Sequence, residues 1–293
     1  MLSQFLLNGL IAGGLIALMS VGFGLIYNTT RILHVALGAS YTSAAYCCYF
    51  CLTRIGWSLS VSALVALLIT ALLGGLTELW VYAPLRHQRA APLLSLLSSL
   101  GLYIVLVNVI ALAFGNETQL LSIGDQAVYH LGGVVVTCVQ TLQAIIPLCL
   151  LPLLLLLSNV TRLGRTIRAV RDNVTLASVM GADLRRLRLI VFALGSMLAG
   201  TAAILSALDI GVDPNVGLPT LLTAAVALIV GGVGSLPGTA LGGLLIGLLQ
   251  SLVMWRTSAR WVDAVTFSLL VLFLLLRPEG LTGKRRRLEE AAG

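Results

Sequence analysis

Side chains able to do chemistry are sparse in this sequence, and their spacing points away from bond-making. His34, His87 and His130 are scattered, no His-Glu-x-x-His occurs, and the few acids do not pair within an apolar run. Neither a zinc hydrolase nor an acid–base dyad is written here. Cys47 and Cys51 stand one helical turn apart without a carboxylate or further ligand nearby. The five cysteines, Cys47, Cys48, Cys51, Cys138 and Cys149, read as small buried hydrophobes. The stretch GGVGSLPG, 231–238, lacks the Gly-Lys-Ser/Thr ending of a phosphate loop. Polar residues that do fall in apolar runs are His34, Ser40, Tyr41, Thr42, Ser43, Glu78, Asn108 and Gln250. Such groups are suited to lining a path for a solute, or to bonding helix to helix in a bilayer.

The elements that must position them are membrane spans. The 293 residues are 58% hydrophobic and 10% charged, with a mean hydropathy of +1.02. Apolar segments fall at about 5–27, 32–53, 59–82, 93–114, 141–158, 189–208, 217–231, 238–255 and 262–276. Runs of roughly 18 or more apolar residues are what a bilayer crossing requires. An all-α polytopic membrane protein follows, with eight or nine transmembrane helices; the seventh segment is short enough for a re-entrant half-helix. The first run has no basic residue before it and exceeds a signal-peptide core, so it is expected to be retained. No soluble domain or low-complexity linker interrupts 1–293, which reads as one transmembrane domain.

The net charge of +7 is topology rather than a nucleic-acid patch. With nine spans and a cytoplasmic C-terminus, every basic residue except Arg54, Arg256 and Arg260 lies inside. These include Arg31, Arg86, Arg89, the arginines from Arg162 to Arg188, Arg277 and the basic run 284–287. The N-terminus is then outside, along with residues 115–140, which carry Glu117 and Asp125, and the connection carrying Asp209 and Asp213. Residues 159–188 form a cytoplasmic loop and 277–293 a basic tail.

Within that loop, GRTIRAVRDNVTLASVMGADLRRLR, 164–188, concentrates six arginines. Ile167, Val170, Val174, Ala177, Met180, Leu184 and Leu187 recur at helical spacing, with a turn allowed at Gly181. A loop that only fixes topology needs the charge and not the stripe. A helix on the membrane surface, or one docking in a partner's groove, needs both.

Glycines crowd 231–247. Gly234, Gly238 and Gly242 repeat at four-residue spacing, as do Thr239, Gly243 and Gly247, giving faces that another helix can approach closely. Pro237 argues for a break there, so tight packing and a re-entrant element are both open.

Four stretches in order, VYAPLRHQRAAPLLSLLSSLGLYIVLVNVIALAFG, the arginine-rich segment, GGVGSLPGTALGGLLIGLLQSLV and LLRPEGLTGKRRR, resemble the permeases of bacterial ABC importers for branched-chain amino acids. The smaller, H-type permease is the most similar. The resemblance covers nearly the whole chain. It implies a permease subunit of the bacterial inner membrane that forms half of a translocation path. Its partners would be a second permease, two ATP-binding subunits and a periplasmic binding protein. No cofactor is implied on this chain, ATP and magnesium being used by the partner subunits. Gly164, Arg165, Arg168, Ala169, Ala177 and Gly181 match the family's coupling segment, with the stripe as docking face. His34, Ser40, Ser43 and Asn108 are candidates for the path. Where related permeases usually read Asn-Phe/Leu-Ala-His/Gln-Gly, this chain reads His34, Val35, Ala36, Leu37, Gly38, a departure that bears on the substrate. The same family resembles permeases for amides and urea. A stand-alone secondary transporter or channel, or a scaffold subunit without its own path, are the competing classes.

Overall fold

The computed structural model describes residues 2–88, 90–121, 128–131 and 134–282. Arg89, Asp125 and the basic run 284–287, assigned above to the loops and the tail, lie outside them. In chain order the helices are α1 (Leu2–Thr30), α2 (Leu37–Tyr49, extended by a π-helical turn Phe50–Ile55) and α3 (Leu59–Thr77). A π-helical turn Glu78–Tyr82 joins α3 to α4 (Ala83–His87). There follow α5 (Pro92–Phe114), α6 (Cys138–Val160), α7 (Arg162–Asp172), α8 (Val174–Val179), α9 (Leu184–Ile210), α10 (Gly217–Gly231), α11 (Leu236–Arg256) and α12 (Val262–Leu276).

Seven of these helical stretches are long and apolar enough to cross a membrane. The second and seventh expected spans are the short ones. Helix α10, with 15 residues, is about 22 Å long and falls short of a hydrocarbon core of about 30 Å. The connection expected over 115–140 contains a small antiparallel hairpin, β1 (Val128–Leu131) with β2 (Val134–Thr137). It sits over the start of α1, where the Gln4 side chain donates to the Val135 carbonyl and accepts from its amide.

The helices pack as two inverted units. Helix α1 lies along α11 and α9 along α3; α2 lies on α3 and α10 on α11; α1 and α9 cross at the centre. Exchanging α1–α2–α3 with α9–α10–α11 leaves that pattern unchanged. The units run in opposite directions, because α1 ends beside α7, where Arg31 donates to the Arg171 carbonyl, and α9 starts at that same end. This is the inverted-repeat plan of many transporters. Small residues make the seams close. A Cβ on Gly13 of α1 would stand 2.9 Å from the Leu244 Cα of α11, so dispersion between backbones replaces the hydrophobic drive absent in lipid.

Glycine spacing near 231–247 divides differently from expectation. Gly234 is not on a helix face. It takes φ +101 in the turn before α11, and Ser235 caps α11 by accepting from the Gly238 amide. Gly238 and Gly242 then face α10, while Gly243 and Gly247 face α1. Pro237 occupies the first turn of α11, where its missing N–H costs nothing.

Candidate translocation site

Two breaks of equal length bring the short helices to the middle of the bundle. After α1, residues 31–36 turn back into the protein before α2; after α9, residues 211–216 do the same before α10. Each starts in the left-handed region, Arg31 at φ 59 and Gly211 at φ 78, and each opening amide bonds four residues back, to Tyr27 and Ala207. Both ends close with a backbone bond to the residue four positions back, the α9 end at a Gly211 whose ψ is near −173.

The breaks converge where α2 and α10 begin. Gly38 and Gly217 touch through their backbones: a Cβ on Gly38 would lie 2.9 Å from the Gly217 carbonyl oxygen and 3.3 Å from the Tyr103 ring. Tyr103 is halfway along α5, so the junction sits at mid-depth. Hydroxyl groups surround it. The Tyr41 hydroxyl faces those of Ser206 and Thr220, and the Tyr103 hydroxyl meets the Leu218 backbone. Ser40, Thr42 and Ser43 donate to the Ala36, Gly38 and Ala39 carbonyls of their own helix, at 3.3, 3.1 and 2.7 Å. These hydroxyl donors are thereby satisfied by nearby backbone carbonyls.

A buried polar chain leads from the first break to the α7 end. His34 Nδ1 and the Tyr82 hydroxyl are 2.8 Å apart, and the His34 ring packs edge-on against Phe192 of α9. Ser99 of α5 accepts from the Ala36 amide at 2.9 Å and reaches Tyr82. One π-helical turn below, Glu78 is paired with Arg86, and Arg188, the fifth residue of α9, is close enough to Arg86 for their charges to interact. His34 Nε2, Glu78 Oε2, Arg86 Nη1 and Arg188 Nε find no hydrogen-bond partner among the described residues. Glu78 thus pairs with one guanidinium group, Arg86, while a second, Arg188, lies near that pair as a like charge.

The arginine-rich segment is three helices, not one. Asn173, at φ −153, ends α7 and caps α8 by accepting from the Leu176 amide; Gly181, at φ +88, turns the chain into α9. This redistributes the apolar stripe. Ile167 and Val170 are 8% and 1% exposed and, with Ala177 and Leu187, join the chain's own core. Val179 and Met180 are 79% and 78% exposed, with Val174 and Leu176 beside them. The outward apolar patch is therefore α8 and its C-terminus. Gly164 is pressed against the Ser158 carbonyl, and Arg168 donates to that carbonyl and to Asn159. Arg165 and Ala169 are exposed, and Gly181 has open space where a side chain would go.

Of the residues singled out for a path, His34 and Ser40 are buried and Ser43 half-buried near the junction. Asn108 is apart from them, exposed on α5 and, among the described residues, bonded to the Ile104 carbonyl. Tyr82, Ser99, Tyr103 and Arg188 carry no mark in the sequence that sets them apart as site residues. A serine or tyrosine inside an apolar run has no periodic signal, although Glu78 and Arg86 eight residues apart hint at the ion pair.

A bundle of inverted helical units with two broken helices meeting at mid-depth is a membrane permease. The chain matches the family described as branched-chain amino acid transport system / permease component over residues 5–274. It is 29% identical to the high-affinity branched-chain amino acid transport system permease protein LivH of Escherichia coli (strain K12), over 96% of this chain and 95% of that one. With the corresponding BraD of Pseudomonas aeruginosa it shares 28% identity, again over 96% and 95%. Similarity to an autoinducer 2 import system permease protein LsrC from Enterobacter is 29%, over 89% and 75%. Among solved structures, PsaBC from Streptococcus pneumoniae in complex with Fab shares the fold, with TM-score 0.52 and 14% identity over 94% of this chain and 93% of that one. The chain belongs to the branched-chain amino acid transport permease family. It is a permease subunit of an ABC importer and not an enzyme; ATP hydrolysis occurs on separate subunits.

Proposed function

We propose that this chain forms half of the path by which a bacterial importer carries branched-chain or other neutral amino acids across the inner membrane. The observation that carries the reading is the meeting of the α2 and α10 breaks at Gly38 and Gly217. Backbone that leaves helical geometry at membrane depth is tolerated where it is buried or lines a path, and broken helices supply both hinge and polar backbone. Sliding apart, α2 and α10 would expose the Tyr41, Tyr103, Ser206 and Thr220 hydroxyls to a solute. The branched-chain specificity of LivH and BraD supports the substrate class.

The end bearing α7 and α8 faces the cytoplasm, as the arginines of 162–188 favour. Helix α8 docks on an ATP-binding subunit through Val174, Leu176, Val179 and Met180. Its motion reaches the first break through α9, Arg188 and Tyr82. Asn108 supports a second permease: an amide on an exposed mid-span face is costly in lipid and is relieved by a partner or a water path. A periplasmic binding protein would deliver the solute at the opposite end.

The test is uptake of labelled leucine into vesicles containing this chain with its neighbouring permease, ATPases and binding protein. Uptake requiring ATP and the full set is expected. Leucine entry through this chain alone contradicts the reading.

A further inference from the structure

We infer that the chain holds one anionic phospholipid, its acyl chain in the α3–α6–α9 groove and its headgroup among Arg31, Arg168 and Arg171. The groove has a volume of about 740 Å³ and is walled by Leu67 of α3, Leu150 and Leu154 of α6, and Leu194 and Met197 of α9. It follows α6 from Leu142 to Leu157, about 22 Å, more than the depth of one leaflet's hydrocarbon.

At the α7 end the groove adjoins a second cavity of about 550 Å³, the two sharing Ser158, Gly164 and Ile167. Its character is opposite. Arg31, Arg168 and Arg171 line it against one acid, Asp172, and the capped start of α11 at Ser235 opens onto it. The guanidinium groups bond chiefly to neutral carbonyls: Arg31 to Arg171, Arg168 to Ser158, Arg171 to Gly234. Among the residues that line the cavity, Arg171 meets the one acid, Asp172, at 2.9 Å. Among the cavity's lining residues three arginines thus face one acid, an excess of two positive charges beside an apolar slot that ends at the same level. A neutral lipid or a neighbouring helix would fill the slot and leave that charge uncompensated, whereas a phosphate joined to an acyl chain answers both cavities. Basic pockets between helices at a membrane face recognise headgroups in this way.

The experiment is native mass spectrometry of the purified full chain with phosphatidylglycerol, or with phosphatidylcholine of the same acyl chains. Retention of phosphatidylglycerol should be stronger by about tenfold or more, given the contribution of each arginine near an anionic headgroup. The Arg31→Gln/Arg171→Gln pair should abolish that preference, and Ala63→Trp, which intrudes on the groove, should weaken both lipids. Equal retention of the two lipids by the wild type overturns the proposal without any variant. So does displacement by inorganic phosphate at matching concentration, which would make the pocket a site for a free anion. A groove found filled by the second permease, with no lipid retained, overturns it as well.

Discussion

The two breaks are built alike and held differently. Break 31–36 opens on Arg31, whose left-handed backbone costs a non-glycine residue about 1–2 kcal/mol, and the Arg31 side chain is tied to the Arg171 carbonyl of α7 at 3.3 Å. Its middle is clasped by His34, Tyr82 and Ser99. Break 211–216 opens on Gly211, whose positive φ, with ψ near −173, is a conformation glycine takes freely. Holding it are a short bridge between Gln119 and Val212, with amide-to-carbonyl distances of 2.8 and 2.9 Å, and the Asp213 side chain accepting from the Asn215 amide. One break is wired to the arginine-rich helices, the other to the opposite surface. In the proposed importer, a single junction then answers separately to an ATPase on one side and to a solute carrier on the other.

That contrast can be attacked from several directions. The largest effect is expected from Glu78→Ala. Removing the carboxylate paired with Arg86 leaves buried charge unpaired, at a cost of about 3–5 kcal/mol, visible as a large drop in folded yield and melting temperature in detergent. Asp213→Ala, on the looser break, should cost about 1 kcal/mol or less. Next comes the exposed apolar patch of α8, proposed above to dock on an ATP-binding subunit. Val179→Asp with Met180→Asp should leave insertion intact and weaken association with the ATP-binding subunits by about 2 kcal/mol or more, roughly thirtyfold, in a pull-down titration.

Tyr82→Phe removes the hydroxyl joining His34 and Ser99. It should cost about 1 kcal/mol and slow uptake at unchanged expression. The smallest and sharpest contrast is in sign. Arg31→Gly should raise thermal stability by up to about 1 kcal/mol while loosening the tie to α7. Gly211→Ala should lower it, since a Cβ there meets the Gln119 carbonyl at 2.8 Å. Equal signs for the pair would break the comparison.

How much of this is legible in the sequence follows from what each signal measures. Apolarity over a window marks burial in lipid, so the nine segments surface and the shortness of 217–231 is plain. The first break is invisible: residues 32–36 are as apolar as the helix after them, and hydropathy cannot tell a buried loop from a buried helix. Helical spacing from Ile167 to Leu187 correctly signals amphipathic helix but not how many faces it divides into. Asn173 and Gly181 redirect the chain, so Ile167 and Val170 turn inward while Val179 and Met180 turn out. The polar chain from Arg188 to Ser99 joins elements distant in sequence, which no local spacing encodes.

The central claim is that α2 and α10 must part for transport. Ala39 of α2 and Leu218 of α10 belong to one apolar cluster, with Tyr103 and Val107, at their junction. With the five native cysteines replaced, Ala39→Cys and Leu218→Cys in the complete transporter can be joined by a short thiol crosslinker, and ATP-driven leucine uptake measured before and after. The crosslinked transporter is expected to bind ATP still and to carry no leucine, with uptake restored on cleavage of the linker. Undiminished uptake with the two helices locked together would contradict the claim.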